Sequence, residues 1–286
     1  MKVHEESVAA EPGSNGHQGF YSRPYLYEVA FSYRGFDAEC DFLAKCFSDF
    51  TGRQPASFME LAAGPAGHTR EFASRGVASS ALDLSPEMVA YATSRAKEDS
   101  LSIDYQVGDM TSFNTTERFD LAACMICSFG YLLTNHQVYE HLQSVARVLK
   151  PDGLYVIELE HPKSVFQLDA CTQTEWEVET ADGLVRINWN SDGSIMDPVT
   201  QQANIKARIE HLVEDKVVDF IEDCCQMRSF TATEMNSLVD ASGCFEVVST
   251  FGALSHHCAL DDEKAWRMIF VLKKRGSETE QEEIRP

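Results

Sequence analysis

Glycine residues in one short segment leave the backbone open to a ligand. An apolar run from Phe58 to Ala63 precedes the turn Gly64-Pro-Ala-Gly67, in which no bulky side chain separates the backbone from a bound molecule. A helical pattern begins at Thr69 and stops at Arg75-Gly76. Parallel α/β sheets use this order of strand, glycine turn and helix to hold nucleotide-like ligands above the strand ends. An ordinary turn between a strand and a helix is the alternative interpretation.

Carboxylates end the next two predicted strands. Asp83 closes the strand that starts at Ala78, nineteen positions beyond Gly64, where a nucleoside site needs an acid to accept both ribose hydroxyls. Asp83 also precedes Ser85-Pro-Glu, a good helix start, and the two roles are compatible. Asp109 follows a third strand, Ile103 to Val107. Unpaired carboxylates are costly in a core, which favours a binding site for both acids.

The elements that must position these residues form a regular series. Phe119 to Ile126 and Leu154 to Glu160 predict a fourth and a fifth strand, with a helix from Gln137 to Leu149 between them. Five strands that are mostly separated by helices predict an open parallel sheet. Since its carboxyl ends face one crevice, we expect five positions to converge there: Gly64, Asp83, Asp109, Ser128 and His161.

The second half of the chain shows a different pattern. Polar and apolar residues alternate in segments that predict antiparallel strands with one wet face: Glu175–Glu179, Val185–Trp189, Ile205–Val213 and Val217–Arg228. Thr231 to Glu234 is a capping box for a helix that ends at Gly243, and two strands follow, Phe245–Thr250 and Trp266–Lys273. The aromatic segment Phe20–Phe36 predicts a helix packed on the sheet edge, or a lid formed by its tyrosines.

These patterns divide the chain into five parts. We expect a disordered arm over 1–19, a ligand-binding α/β core with an N-terminal lid over 20–165, and inserted antiparallel strands over 166–230. A helix and a strand pair over 231–274 complete the core, and a disordered tail covers 275–286.

Charge and composition limit the partners. The net charge is −21, from 45 acidic and 24 basic residues, so the surface repels phosphate backbones and favours a neutral or cationic small molecule over nucleic acid. No apolar run approaches the ~20 residues that span a bilayer, and no signal-peptide core is visible. Nine scattered cysteines without zinc spacing predict reduced thiols, buried or partly buried, no metal site and a cytoplasmic location. A homodimer is left open.

Several of these segments together resemble class I S-adenosylmethionine-dependent methyltransferases: Glu60-Leu-Ala-Ala-Gly-Pro-Ala-Gly67, Asp83, Gly108-Asp-Met110 and the strand before Lys150-Pro-Asp-Gly153. The likeness covers about Tyr27 to Lys273. It implies an α/β fold with a seven-stranded, mostly parallel, Rossmann-like sheet and an inserted antiparallel β subdomain. The insert is similar to that of small-molecule enzymes, such as aminosugar and glycine-type N-methyltransferases. Tyr131 stands where the aminosugar enzymes often have histidine, and Ala66 where the family usually has glycine.

The resemblance implies S-adenosylmethionine as cofactor and a set of residues that bind it. Ala62 to Gly67 would follow its methionine part, Asp83 its ribose, and Asp109 with Met110 its adenine. Cys127 and Ser128 would lie beside the sulfonium. The full set of expected cofactor residues is Glu60, Ala62, Gly64, Gly67, Asp83, Leu84, Asp109, Met110, Cys127 and Ser128.

A general base helps methyl transfer only when the acceptor arrives protonated. The catalytic candidates are His161 and Tyr131, with His256 and His257 as weaker ones in a loop. Expected substrate contacts are Tyr21, Tyr27, Tyr131, His161, Trp176 and Arg228, with Trp189 as a further wall residue. The competing interpretation for each tryptophan and for Arg228 is packing, and for His161 a bond to the backbone of residues 162–164.

The favoured function is methyl transfer to a small molecule, with nitrogen as the first choice of acceptor atom and oxygen or carbon as alternatives. A nucleotide-cofactor oxidoreductase would need a fuller G-x-G-x-x-G turn, and the antiparallel insert and the Asp109-Met110 pair argue against it. A non-catalytic protein that keeps the cofactor fold is a third possibility.

Overall fold

Two β-sheets form the framework of the structure, a computed structural model that describes residues 19–166 and 173–276. The helices are α1 (Pro24–Ala30), α2 (Phe36–Thr51), α3 (Gly67–Ser74), α4 (Pro86–Glu98), α5 (Asn135–Val148), α6 (Pro162–Val165) and α7 (Ala232–Ser242). The strands are β1 (Ser57–Leu61), β2 (Ala78–Asp83), β3 (Ile103–Val107), β4 (Phe119–Cys124), β5 (Leu149–Glu160), β6 (Thr174–Glu179), β7 (Leu184–Trp189), β8 (Gln202–Val213), β9 (Lys216–Arg228), β10 (Phe245–Phe251) and β11 (Arg267–Lys274). The predicted arm and tail lie almost wholly outside the described residues.

The larger sheet has seven strands in the order β10-β11-β5-β4-β1-β2-β3. Strands β1 to β5 pair in parallel, whereas β11 is antiparallel to both of its neighbours, β5 and β10. Strands β2 and β3 lie on one side of β1, and β4, β5, β11 and β10 lie on the other, so the strand order reverses between β1 and β4. The predicted seven-stranded, mostly parallel α/β sheet is confirmed.

Both faces of this sheet are covered because its central strands are apolar on both sides. On β1, Phe58 packs in a cluster with Phe47 of α2 and Phe72 of α3. The next residue, Met59, points to the opposite face and belongs to a cluster that includes Leu142 of α5. Helices α2 and α3 therefore lie on one face of the sheet and α5 on the other.

The smaller sheet has four antiparallel strands in the order β6-β7-β8-β9, as the alternating sequence predicts. One face is apolar and packs against α1, where Val185 and Ile209 contact Leu26 and Ala30. The N-terminal aromatic segment thus lies on the face of the inserted sheet rather than on an edge of the larger one. This position brings Tyr21 and Tyr27 above the ends of the parallel strands.

Element boundaries differ from the prediction in one notable place. Strand β5 begins at Leu149, directly after α5, instead of at Leu154. The capping box of α7 is present as predicted: Thr231 Oγ1 accepts from the backbone N–H of Glu234, and the Glu234 side chain accepts from the Thr231 N–H. Among the described residues, no helix combines the length and apolar character needed to cross a bilayer.

Candidate active site

Two adjoining cavities open where the parallel strands end. The first, the strand-end cavity, has a volume of about 400 Å³ and is bordered by loops that follow β1, β2, β3 and β4. The second, the aromatic cavity, has a volume of about 510 Å³ and lies between these loops, the N-terminal segment and the inserted sheet. Four residues border both cavities: Tyr21, Tyr27, Ser128 and Tyr131.

The glycine turn at the end of β1 has an unusual backbone. Ala62, Gly64 and Ala66 all have a positive φ, of 52°, 52° and 58°. Gly64 adopts this conformation without strain because it lacks a Cβ, whereas Ala66 is held by hydrogen bonds at both ends of the turn. Ala62 and Gly64 border the strand-end cavity, where they present only a methyl group and bare backbone to a ligand.

Asp83 is the acid at the centre of the strand-end cavity. It is 8% exposed; its Oδ2 accepts from the backbone N–H of Gly64 at 2.7 Å, and its Oδ1 accepts from that of Ser85 at 2.9 Å. The carboxylate therefore ties the glycine turn to the start of α4. An ionised carboxylate offers about four acceptor positions in all.

The outer wall of the strand-end cavity combines apolar and acidic groups. Leu84 is 52% exposed and Met110 is half-buried, and both border the cavity. Asp109 is exposed, and its Oδ1 accepts from the backbone N–H and the hydroxyl of Thr111, at 2.8 and 2.7 Å. A flat, apolar ring with a polar edge would cover Leu84 and Met110 and leave Asp109 at its rim.

Three of the predicted cofactor residues do not border this cavity: Cys127, which borders the aromatic cavity, and Glu60 and Gly67, whose contact with the cofactor stays a prediction. Glu60 Oε2 accepts from the backbone N–H of Thr69 at 3.1 Å and from its hydroxyl at 2.6 Å, so it fixes the first turn of α3. Gly67 lies against Phe36, and an added Cβ would come within 2.5 Å of that ring. Glu60 and Gly67 therefore support the glycine turn without bordering the cavity.

The loop after β4 separates the cavities and contains strained backbone. Ile126 and Cys127 have φ values of 53° and 57°, and a β-branched residue rarely adopts this conformation. Cys127 borders the aromatic cavity, and Ser128 borders both. The predicted pair is thus at the junction of the cavities, with Cys127 facing the aromatic side.

A row of buried charges supports this loop. Arg34 donates to both oxygens of Glu158, at 2.9 and 2.8 Å, and to Glu39 at 2.8 Å. Burial alone would raise the pKa of Glu158, but Arg34 and Arg267 lower it to about 2. Glu158 is therefore an anion that holds two arginines under the site.

The same row continues to a charged histidine. His68 is fully buried, with Nδ1 2.7 Å from Glu60 Oε1 and Nε2 2.7 Å from Glu39 Oε2. Burial opposes the protonated form, but Glu60 and Glu39 outweigh it and raise the pKa of His68 to about 9. Protonated His68 therefore forms ion pairs with Glu60 of β1 and with Glu39 of α2.

Tyrosines form the common wall of the two cavities. The hydroxyls of Tyr21 and Tyr131 are hydrogen-bonded to each other, and the Tyr131 hydroxyl also lies 3.8 Å from Cys225 Sγ. Burial raises the pKa of both tyrosines well above the ordinary value. They are neutral hydroxyls at neutral pH, which orient polar groups rather than remove protons.

The aromatic cavity is walled by rings from three parts of the chain. Phe31 stacks 4.6 Å from Tyr27 and meets Trp176 edge-on at 5.7 Å, while Trp189 borders the cavity from β7. Trp176 Nε1 donates to the Ala30 carbonyl at 2.7 Å, which orients its ring towards the cavity. The predicted wall residues Trp176 and Trp189 are therefore brought to this cavity.

Two charged residues of this cavity, Glu160 and Arg267, were not singled out in the sequence. They are Cα partners across the antiparallel pair β5 and β11. Glu158 and Glu160 are two positions apart on a strand and share one face, a spacing that could have indicated a second carboxylate at the crevice.

His161 borders the aromatic cavity, but both of its ring nitrogens are already bonded. Nδ1 accepts from the backbone N–H of Lys163 at 3.2 Å, and Nε2 lies 2.9 Å from the Leu260 carbonyl, to which it donates. The residue caps α6 and ties it to the loop before β11. This geometry matches the backbone-bonding alternative better than a general base.

Arg228, His256 and His257 border neither large cavity. Arg228 donates to Glu234 at 2.5 Å and to Asn135 Oδ1 at 2.7 Å, so it joins β9 to α5 and α7. His256 packs on Phe42 at 4.7 Å, and burial lowers its pKa, while His257 is exposed. These contacts match the packing alternative for Arg228, and its contact with a substrate stays a prediction.

The described cysteines are free thiols, and most are buried or half-buried as predicted. Cys224 differs, since its side chain is exposed on β9. Cys171 lies outside the described residues. In ranges 19–166 and 173–276, no three histidine, cysteine or acidic side chains come together as a metal-binding group.

Comparisons with known proteins agree with this arrangement. Residues 58–153 match the family model described as a methyltransferase domain. A dTDP-3-amino-3,6-dideoxy-alpha-D-glucopyranose N,N-dimethyltransferase of Streptomyces fradiae is 32% identical over 103 residues, which is 36% of this chain and 39% of that protein. The chain spans only 39 to 60% of the length of the curated relatives it matches.

Solved structures extend the likeness to nearly the whole chain. An S-adenosylmethionine-dependent methyltransferase from Clostridium acetobutylicum superposes with a TM-score of 0.73 at 14% identity, over 88% of this chain and 97% of that one. An amino pentose methyltransferase from Micromonospora echinaspora, with S-adenosylmethionine bound, gives 0.68 at 19% identity, over 95% and 100%. Residues 58–153 therefore match a methyltransferase domain, and the chain as a whole has the Rossmann-like fold of these solved methyltransferases.

Proposed function

We propose that this protein transfers a methyl group from S-adenosylmethionine to a nitrogen atom of a small molecule. The observation that carries the proposal is the meeting of the two cavities at Tyr21, Tyr27, Ser128 and Tyr131. A cofactor in the strand-end cavity and an acceptor in the aromatic cavity would face each other across this junction. The methyltransferase domain match over 58–153 supports the same reaction class.

The strand-end cavity suits the cofactor residue by residue. Asp83 would accept the ribose hydroxyls with its carboxylate oxygens, which backbone donors hold in place. Leu84 and Met110 would cover the adenine, with Asp109 near its amino group. Ala62 and Gly64 would leave room for the methionine part, since no large side chain stands there.

When bound, S-adenosylmethionine supplies an electrophilic methyl group on its sulfonium. The protein's contribution is to align the acceptor and to exclude water. Holding two reactants in line can supply up to ~7–11 kcal/mol of the barrier. The Tyr21–Tyr131 hydroxyl pair and Ser128 would orient the acceptor at the junction, and the surrounding rings would keep the site dry.

Nitrogen is favoured over oxygen and carbon as the methylated atom for two reasons. Two curated relatives are aminosugar N,N-dimethyltransferases, although they match only about a third of the chain. The aromatic cavity also holds carboxylates, which suit an ammonium group better than a hydroxyl. This scheme does not use His161 as a base, since both of its ring nitrogens are bonded to backbone groups.

Calorimetry with S-adenosylhomocysteine and with NADH tests the cofactor, and transfer of a tritiated methyl group to a mixture of small amines tests the reaction. We expect S-adenosylhomocysteine to bind and NADH not to bind. Binding of NADH alone would end the proposal. Tight binding of S-adenosylhomocysteine with no transfer to any amine, alcohol or carbon acceptor would favour a non-catalytic protein.

A further inference from the structure

The charges around the aromatic cavity do not suit an anionic substrate. Among its described lining residues there are three carboxylates, Glu160, Glu175 and Glu177, of which Glu177 pairs with Arg186, and one arginine, Arg267. No lysine lies among its described lining residues. A diphosphate group needs arginine, lysine or a helix N-terminus to neutralise it, and this cavity offers little of that kind.

The charge of Arg267 is already engaged. Its Nε donates to Glu158 Oε1 at 3.1 Å, and its guanidinium lies 4.3 Å from the centre of the Trp266 ring. Arg267 therefore completes the buried charge row under the site. It offers at most part of its guanidinium to a ligand.

Glu160 is in the opposite situation. It ends β5 at the cavity, is half-buried, and has neither a hydrogen bond nor an ion pair to its carboxylate within the described part of the chain. Burial raises its pKa, and Arg267 acts in the other direction. The Glu160 carboxylate therefore has acceptor positions that a cationic ligand in the cavity can use.

The aromatic rings that line the same cavity would accept the same kind of ligand. The faces and edges of Phe31, Tyr33 and Trp176 pack within 6.4 Å of one another and line one wall of the cavity. Aromatic faces attract cations and shield apolar groups from water. A compact organic cation would therefore satisfy both the rings and the carboxylate.

We propose that the acceptor is a compact amine that carries no nucleoside diphosphate, and that its nitrogen binds to Glu160. This inference rests on the proposed function and departs from the dTDP-linked substrate in the name of the Streptomyces fradiae relative. Glu160 and the aromatic wall of Phe31, Tyr33 and Trp176 together select a small organic cation.

The reaction balances with Glu160 as proton acceptor. The ammonium group of the acceptor passes one proton to the Glu160 carboxylate and becomes a neutral amine. The nitrogen lone pair then forms a bond to the methyl carbon, while the carbon–sulfur bond breaks and its electron pair stays on sulfur. The products are the N-methylammonium ion and S-adenosylhomocysteine, and the proton on Glu160 leaves to solvent.

Calorimetry on the protein saturated with S-adenosylhomocysteine tests the inference independently of turnover. The probes are benzylamine, phenethylamine and cyclohexylamine, the matching alcohols, and thymidine diphosphate. We expect at least one amine to bind about tenfold or more tightly than its alcohol and than thymidine diphosphate, and Glu160→Gln to remove this preference. Glu179→Gln is the control, because Glu179 is exposed on β6 and borders neither cavity.

The outcomes separate the two proposals. If S-adenosylhomocysteine does not bind, the proposed function fails. If it binds but no amine does, or thymidine diphosphate binds more tightly than every amine, only the present inference is overturned. An amine preference that survives Glu160→Gln unchanged also overturns it, provided that the variant melts at the wild-type temperature.

Discussion

The backbone N–H of Ile126 donates a hydrogen bond of 2.7 Å to Glu158 Oε2, and this contact joins the strained loop between the two cavities to the buried charges beneath it. Ile126 has a positive φ, so its conformation needs such a partner. Since the same carboxylate also binds Arg34, one side chain fixes both the loop and the N-terminal segment.

Replacing Glu158 should therefore destabilise the whole fold. In Glu158→Gln, the buried Arg34 and Arg267 lose an anionic partner, and we expect the free energy of unfolding to fall by about 3–5 kcal/mol. Chemical denaturation measures this change. Glu246→Gln removes an exposed carboxylate from β10 and should have little effect. Equal stability of both variants would show that the charge row is not a major support.

Replacing Asp83 should weaken cofactor binding. In Asp83→Asn, one acceptor oxygen becomes a donor, and we expect S-adenosylhomocysteine to bind more weakly by about 1–3 kcal/mol in calorimetry. Asp104→Asn, an exposed change on the neighbouring strand β3, serves as the matched control. A folded Asp83→Asn protein with wild-type affinity would disprove the ribose assignment.

Replacing His161 should affect folding more than cofactor binding. His161→Phe removes the hydrogen bonds to the Leu260 carbonyl and the Lys163 N–H, and we expect a loss of about 1–3 kcal/mol in unfolding free energy. The affinity for S-adenosylhomocysteine should stay close to that of the wild type. A variant that is as stable as the wild type but lacks methyl transfer would restore His161 as a base.

The charged His68 predicts a loss of stability at alkaline pH. Its pKa is about 9 in the folded protein and about 6.5 in an unfolded chain, so its contribution is complete below pH 6.5 and disappears as the pH rises through 9. The difference corresponds to at most about 3 kcal/mol. Unfolding measured from pH 6 to pH 10 should show this decline in the wild type, and His68→Gln should flatten it. Parallel curves for the two proteins would assign the decline to other groups.

Local sequence patterns predicted the larger sheet, the insert and most of the strand-end cavity. The reason is that Gly64, Asp83 and Asp109 follow strands whose periodicity is visible in short windows, and a parallel sheet brings such positions together. The roles of His161 and Arg228 could not be predicted in this way. The partner of His161, Leu260, lies 99 positions away, and the position of the Arg228 side chain depends on how the insert packs on α5 and α7.

The division into two cavities was equally hidden from the sequence. It depends on α1 crossing the face of the inserted sheet, which places Tyr21 between the strand ends and β9. No local sequence pattern predicts this long-range contact between α1 and the inserted sheet. The spacing of Glu158 and Glu160 indicates that they share one face of β5, but the pairing of β5 with β11 is needed to show that Glu160 borders an open space.

The wall of tyrosines has a practical consequence for anyone who wishes to redesign this protein. A change at Tyr21, Tyr27 or Tyr131 alters the shape of both chambers at once, so selectivity and retention of the methyl donor would shift together. Trp189 borders the aromatic cavity and not the strand-end cavity. Libraries that begin at Trp189 can broaden the range of accepted molecules with less effect on the donor's surroundings, whereas Phe31 stacks on Tyr27 and a change there would reach both cavities.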